Sequence, residues 1–433
     1  MLIYFDRFVL TFLLFSVQAT VIKVGDLQLF EASVLALLPY LVLRHRGFFA
    51  SRPLVLFLPI IVFFLLTSLL LFFRVDFFPP PGIGPLKFPF IISLVRMVQI
   101  TMIFLAFNYA WLTLDHAQAV RWAMKRYVDI SVIIAALTCL SFLLANATGF
   151  MSPLVYDTAY YLATSDSSIG MLRARGLFVE GGPYGLSLIP SIVFAGLLRT
   201  QGKASWVKIA LLAAALILSQ SKAALVCAFL LLLIHAMSTM KLRKLLVSTT
   251  SGFALVAVVL FVNRAFLEGF FGYYETLKKI AGDSIIISST NFDMAYGRVA
   301  AMFIAPRMAA DNPILGVGLG NYSLTRNNPL YLGSFPQIEG WDLSGLGIFT
   351  LLLEGGIAGL SLLLASYFLF SKPSRAISGK RFYFFLVPLL LQCCGVQLYF
   401  AYHWFFLLML ALFLDHKLNF GMDNPPAHRS LSP

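Results

Sequence analysis

Six cations in the segments predicted to lie beyond the outer face of a membrane are the residues best suited to chemistry. They are Arg173, Arg175, Lys222, Arg298, Arg307 and Arg326. Arginine offers a planar fork of donors that stays charged and matches the oxygens of a phosphate. One interpretation is therefore that these residues recognise an anionic group such as a diphosphate. The alternative is solvated charge, or cations that reach out to lipid phosphates.

Helical periodicity separates two of these cations. Residues 294–311 are predicted to form a helix, which Asn312-Pro313 ends. Arg298 and Arg307 are nine positions apart, so at roughly 100° per residue they point to opposite sides. Arg307 also has Asp311 one turn further on, a ready ion-pair partner. We therefore expect Arg298 to serve function and Arg307 to serve structure.

The histidines and carboxylates narrow the chemistry further. Of the six histidines only His403 falls near the outer face, and neither long outer segment contains one. A histidine relay or a histidine–metal site is therefore not expected there. The outer carboxylates form no cluster with metal-ligand spacing, so we expect neither metal nor cofactor. A carboxylate acting as general base remains, with Asp342 and Glu180 as candidates.

Among the ionisable residues inside predicted membrane spans, Glu31, Arg96 and Glu354 stand out. Charged groups at that depth are costly, so each is a candidate functional residue by default. For Glu354, which precedes Gly355 and Gly356, the alternative is a structural partner for a buried backbone group or cation.

The elements that must position these residues are membrane helices. Of 433 residues, 60% are hydrophobic and 12% are charged, whereas a soluble domain is about half apolar and about a quarter charged. We predict an all-α, polytopic integral membrane protein whose residues 1–433 form a single domain. Because a span needs about 20 apolar residues, about 12 transmembrane helices are expected. They lie near 8–24, 27–43, 53–73, 89–113, 128–150, 183–198, 205–220, 223–240, 245–263, 346–370, 382–399 and 402–416.

Charge alternation gives the orientation. With the N-terminus in the cytoplasm, every inner connection is basic, beginning with Arg44, Arg46 and Arg52, while the short outer loops carry fewer cations. This pattern explains most of the net charge of +13 without nucleic acid. Both termini are then cytoplasmic. Two long outer segments remain, 151–182 and 264–345, and the second, between the ninth and tenth spans, is expected to fold around helix 294–311.

Four stretches, taken in order, resemble the bacterial O-antigen polymerase and O-antigen ligase superfamily. They are Arg173-Ala-Arg-Gly-Leu-Phe178, Ser219-Gln-Ser-Lys222, Gly297-Arg298 through Pro313-Ile-Leu-Gly-Val-Gly-Leu-Gly-Asn-Tyr322, and Leu353-Glu-Gly-Gly-Ile-Ala-Gly359. The resemblance covers about the second half of the chain. It implies a metal-independent glycosyltransferase in the bacterial inner membrane. Such an enzyme moves a glycan from undecaprenyl diphosphate to another glycan or to lipid A core.

The resemblance assigns roles to residues and partners. Arg173, Arg175, Lys222 and Arg298 would hold the diphosphate and stabilise its developing charge, and Tyr322 would bind substrate. Arg298 would also act in catalysis, beside Asp342 or Glu180. Further partners would be membrane lipid, a chain-length regulator and a flippase of the same pathway.

Two departures from the family pattern matter. Lys222 stands where the family often has Arg, and the stretch from Trp341 to Gly347 lacks the His that ligases usually carry before the Glu-Gly motif. We therefore favour a polymerase in exopolysaccharide or O-antigen biosynthesis over a ligase. A transporter or flippase for the same glycan, and a scaffold for an assembly complex, are the alternatives from other classes. Transporters often show repeated halves, and the sequence has none.

Overall fold

The structure, a computed structural model, describes residues 2–25, 27–73, 75–150, 152, 154–155, 174–198, 203–239, 274–282, 285–288, 295–342, 344–371 and 379–419. The principal helices of these residues are α1 (Leu2–Ser16), α2 (Leu29–Leu43), α3 (Pro53–Leu70), α4 (Pro89–Thr113), α5 (Ala117–Thr148), α6 (Gly181–Leu197), α7 (Lys203–Leu218), α8 (Lys222–Thr239), α9 (Gly297–Asp311), α10 (Ile348–Ser371), α11 (Gly379–Cys393) and α12 (Ala401–Asn419). Residues 274–281 are also helical. A small antiparallel hairpin pairs Lys23–Val24 with Leu27–Gln28.

The predicted helical architecture is confirmed at a coarse level. Among the described residues, α3, α4, α5 and α10 are long and apolar enough to cross a membrane, and α2, α6, α12 and much of α7 and α8 form shorter apolar helices. Eleven of the twelve predicted spans overlap a described helix, and 245–263 lies outside the described residues. The count of about 12 spans stays a prediction. Many large apolar side chains on these helices are exposed, as lipid-facing surfaces require.

Local sequence signals explain where several helices begin and end. Pro53 and Pro89 occupy the first positions of α3 and α4; proline suits that position because its missing N–H has no helical partner there. Gly149 follows α5 with φ +72°, the left-handed conformation that terminates many helices.

Helix α12 lies at the centre of the bundle and packs against α4, α5, α6 and α11. Its side chains from Tyr402 to Leu414 are buried on every side. Trp404 donates its indole N–H to the Leu398 carbonyl at 2.6 Å, which fixes the start of the helix. This bond therefore holds the first turn of α12 in place at one end of the bundle.

Helix α10 is broken at Gly356, whose φ of 63° and ψ of −168° are not helical. The loop after α9 fills the break. Val317 N–H donates to the Leu353 carbonyl at 3.0 Å, Gly318 N–H to Glu354 at 2.8 Å, and Ile357 N–H to Pro313 at 2.9 Å. These bonds satisfy backbone groups that the break would otherwise leave unpaired in an apolar surrounding. The Glu-Gly stretch therefore docks the loop that follows α9.

At the opposite end of the bundle, ion pairs join cations of the predicted cytoplasmic connections to the helices. Arg44 pairs with Asp6 at 2.8 Å, Arg52 with Asp415 at 3.2 Å, and Lys208 with Asp129 at 2.5 Å. These basic residues therefore have structural partners in addition to the role they play in the charge pattern.

Candidate functional site

Arg298, the second residue of α9, extends along a notch formed by two glycines. A Cβ at Gly345 would lie 3.0 Å from Arg298 Cγ, and one at Gly395 would lie 3.1 Å from its Nη2. Both glycines have positive φ, 60° and 112°. Since neither has a side chain, the guanidinium passes close to both backbones. Arg298 itself is solvent-exposed.

One side of the notch, Gly395, belongs to the connection before α12. Arg298 interacts electrostatically with Cys394 and with Tyr402. Cys394 in turn lies within hydrogen-bonding reach of Cys227 on α8. The Arg298 cation is therefore placed where α9, α11, α12 and α8 approach one another.

Arg175 and Lys222 lie on two segments that are packed together. Ala174 N–H donates to the Leu218 carbonyl at 3.0 Å, and Ser221 Oγ donates to the Gly182 carbonyl at 3.3 Å. Lys222 and Glu180 are exposed, and Arg175 is half-buried with its Nη1 donating to the Val179 carbonyl at 3.1 Å. Arg173 lies outside the described residues.

A single aromatic contact links this pair of segments to the Arg298 notch. The Phe178 ring lies 5.9 Å from the Tyr402 ring, edge to face. Because Tyr402 also interacts with Arg298, the three described cations of the predicted diphosphate site lie on segments that meet around the start of α12. We call this region the α12 entrance, defined by Arg175, Phe178, Lys222, Arg298 and Tyr402.

Asp342, a predicted general base, is instead held in a buried ion pair. Its Oδ2 accepts from Arg326 Nη1, and its Oδ1 accepts from the Gly297 N–H at 2.8 Å. Arg326 is fully buried and Asp342 is 5% exposed. A carboxylate committed to these donors has a structural role that the sequence did not reveal, because its partner is 16 positions away.

Tyr322, a predicted substrate-binding residue, packs inside the small core that α9 forms with the neighbouring loops. The ring is 2% exposed, and its hydroxyl has no hydrogen-bond partner among the described residues. Burial and the nearby Asp342 raise the pKa of Tyr322, so the phenol stays protonated at neutral pH. The structure does not bring this ring to the α12 entrance.

Arg307 faces away from Arg298. Its Nη1 donates to the Tyr331 carbonyl at 3.1 Å, and its guanidinium lies against Gly333. Burial, together with a hydrogen bond to Asp311, raises the pKa of Tyr331 to about 12. The two arginines of α9 thus have different neighbours, as the nine-residue spacing predicted.

Glu31, Arg96 and Glu354, which the sequence places inside predicted membrane spans, are connected. Arg96 donates to Gln99 Oε1 at 2.8 Å, and Gln99 donates to Glu31 Oε1 at 2.6 Å. The Arg96 guanidinium also lies 3.9 Å over the Tyr399 ring and interacts with Glu354. The sequence marks the three charges only as separate residues. It gives no sign of Tyr399, since an aromatic residue in an apolar run carries no signal of its own.

Glu354 belongs to this network through the loop after α9. Its side chain lies near the Gly320 backbone N–H, and Gly320 packs against Arg96, with a Cβ there falling 3.0 Å from Arg96 Cγ. The connection from Gly395 to Tyr399 runs between the Arg298 notch and this network. Both groups of charges therefore adjoin the same short connection before α12.

Candidate metal ligands and histidine give no second site. Among the described residues, no group of three His, Cys, Asp or Glu side chains is placed to hold a metal ion. His403, on the first turn of α12, is fully buried, and its Nε2 hydrogen-bonds with the Tyr367 hydroxyl at 2.9 Å. The one histidine near the predicted outer face is thus enclosed in the bundle.

Comparison with known families gives independent support for the motifs in the second half of the chain. Residues 208–364 match the family model described as O-antigen ligase. The match supports the O-antigen ligase and polymerase superfamily, as the sequence motifs predicted. It covers α8, α9 and the break in α10, but not Arg175 or the connection before α12. No curated protein matches the chain.

Proposed function

We propose that the protein is a polymerase of lipid-linked oligosaccharide repeat units in exopolysaccharide or O-antigen biosynthesis. It would act at the periplasmic face of the bacterial inner membrane, on glycans carried by undecaprenyl diphosphate. The observation that carries this proposal is the α12 entrance, where the exposed Arg298 lies against the connection before α12 and Tyr402 of that helix contacts Phe178 on the Arg175 segment. Its support from relatives is the O-antigen ligase family match.

The main requirement of the reaction is stabilisation of the negative charge on the diphosphate leaving group, which cationic side chains can supply in place of a metal ion. The acceptor hydroxyl oxygen attacks the anomeric carbon of the donor glycan while the bond from that carbon to the diphosphate oxygen breaks. Negative charge then grows on the diphosphate, where fixed cations lower its energy. Arg298, Arg175 and Lys222 supply that charge in the proposal, with Arg173 as a fourth.

The proton of the acceptor hydroxyl needs a base. Asp342 is occupied by Arg326 and Gly297, so the proposal assigns this role to Glu180. Glu180 is exposed and directly precedes α6, beside the segment that carries Arg175. A carboxylate in water-accessible surroundings can accept a proton transiently in a transition state.

A ligase transferring the glycan to lipid A core is the second candidate, and the description of the matched family favours it. The missing histidine before the Glu-Gly stretch and the enclosure of His403 weigh against it. A transporter or flippase of the same glycan is the third, and a scaffold for an assembly complex the fourth. The polymerase and the ligase leave different products, whereas the transporter and the scaffold leave the glycan unaltered.

The test is to incubate the purified protein, in lipid nanodiscs, with lipid-linked repeat units and to size the products. A polymerase lengthens the glycan while it remains on its lipid carrier. A ligase leaves the length unchanged and moves the glycan only when lipid A core is added. Unaltered substrate under both conditions would contradict the enzymatic proposal and favour transport or scaffolding. In cells, deletion of the gene should remove long chains while single repeat units are still made.

A further inference from the structure

The buried ion pair between Arg326 and Asp342 lies directly behind the residue that the proposal makes catalytic. Its two side chains are 0% and 4% exposed. Removing two charges from water costs several kcal/mol per ion, and a buried pair is often no more stable than well-packed apolar residues. Stability alone therefore gives a weak reason for this pair, and its contacts supply a better one.

Those contacts converge on the start of α9. Arg326 Nη2 donates to the Ala295 carbonyl at 3.0 Å, and Asp342 Oδ1 accepts from the Gly297 N–H at 2.8 Å. The pair is thus hydrogen-bonded to the backbone on both sides of Tyr296. The ring of Tyr296 lies 5.9 Å from the Arg326 guanidinium. Arg298 directly follows Gly297 in the chain.

The start of α9 needs these hydrogen bonds because its own residues do not determine the backbone conformation at Gly297. Gly297 has φ +65°, and no side chain of the preceding residue, Tyr296, caps the helix. Glycine is the residue with the most freedom to leave a given conformation. A fixed acceptor for its N–H therefore determines the direction in which Arg298 leaves the helix.

We propose that Arg326 and Asp342 are positioning residues that hold Arg298 in the notch between Gly345 and Gly395. The inference rests on the proposed function, in which Arg298 stabilises the diphosphate leaving group. Asp342 then acts through α9 and not on the acceptor hydroxyl. A shift of about 1 Å in a catalytic group can lower a rate about a hundredfold. The hydrogen bonds that hold the start of α9 therefore affect the rate of the reaction.

Two neutral double variants isolate the Gly297 contact. Arg326→Met/Asp342→Asn removes both charges but keeps an oxygen acceptor for the Gly297 N–H. Arg326→Met/Asp342→Leu removes the acceptor as well, with a side chain of similar size. Because neither variant leaves a lone buried charge, both avoid the largest cost of breaking an ion pair. We expect both to fold and the Leu variant to have about ten- to hundredfold lower turnover than the Asn variant.

A cross-linking measurement tests the position of residue 298 without reference to activity. The Cβ positions of Arg298 and Gly345 are within about 4.5 Å, the range of a disulfide. Arg298→Cys/Gly345→Cys, with the four native cysteines replaced, is oxidised with a small disulfide donor. We expect the fastest cross-linking in the parent, which keeps both contacts, and at least about tenfold slower cross-linking in the Leu variant than in the Asn variant.

The outcomes separate the two proposals. Equal cross-linking rates in the Asn and Leu variants would overturn the positioning role, whatever the activity. Slower cross-linking with unchanged turnover would show that the pair orders α9 without serving the reaction, which also overturns it. Arg298→Ala with full activity would contradict the proposed function itself. If the Leu variant does not fold, Arg326→Lys replaces it, since one ammonium cannot reach both Asp342 and Ala295 as the guanidinium does.

Discussion

Gly356, where α10 breaks, is a position at which one added methyl group should be strongly destabilising. A Cβ at Gly356 would overlap the backbone carbonyl of Ile314, and the backbone angles there are open essentially to glycine alone. Gly356→Ala should therefore cost about 1–3 kcal/mol in backbone strain. It should also weaken the bonds from Ile357 and Ala358 N–H to the loop, at 2.9 and 3.1 Å, for about 1 kcal/mol each.

The expected loss is about 3–5 kcal/mol of unfolding free energy. Gly355→Ala is the matched control, because Gly355 has ordinary helical φ and its added Cβ would meet side chains alone, the Phe64 ring at 3.2 Å and the Phe63 ring at 3.5 Å. Both variants are compared with the parent by denaturant unfolding in detergent micelles. If Gly356→Ala unfolds at the same denaturant concentration as Gly355→Ala, the loop does not dock in the break as described.

Three further substitutions probe the packing around the site. Tyr322→Phe should leave stability unchanged or raise it by up to about 1 kcal/mol, because its buried hydroxyl has no partner among the described residues; a clear loss on thermal unfolding would contradict this. Arg96→Lys removes the planar guanidinium that stacks on Tyr399 and should cost about 1–2 kcal/mol, measured in the same way; unchanged stability would refute the contribution of the stacked guanidinium. Gly395→Ala should reduce turnover at least about tenfold by crowding Arg298. Gly340→Ala, with open space around the added Cβ, should not reduce it. Equal turnover in the two variants would contradict the role of the notch in the reaction.

Local patterns predicted the elements of the fold. Hydropathy located the apolar segments, since each must match the thickness of a membrane. The helix predicted over 294–311 corresponds to α9, which begins at Gly297 because that glycine has a positive φ. Helical periodicity also separated Arg298 from Arg307, and these residues do contact different neighbours.

Contacts between segments that are far apart in the chain could not be predicted from the sequence. The notch around Arg298 depends on Gly345 and Gly395, which lie 47 and 97 positions after it and carry no side chain to mark their role. The pairing of Arg326 with Asp342 turned a predicted general base into a structural partner in the same way. Tertiary packing decides such contacts, and a single sequence records only the residues that take part.

The central claim is that Arg298 stabilises the diphosphate leaving group at the α12 entrance. It is tested most directly by the initial rate of glycan elongation by the purified protein on lipid-linked repeat units, comparing Arg298→Ala with Lys278→Ala. Lys278 is an exposed cation of the same predicted outer segment. The account predicts at least about a hundredfold loss for Arg298→Ala, typical of removing a transition-state donor, and a near-normal rate for Lys278→Ala. Equal rates in the two variants would contradict it.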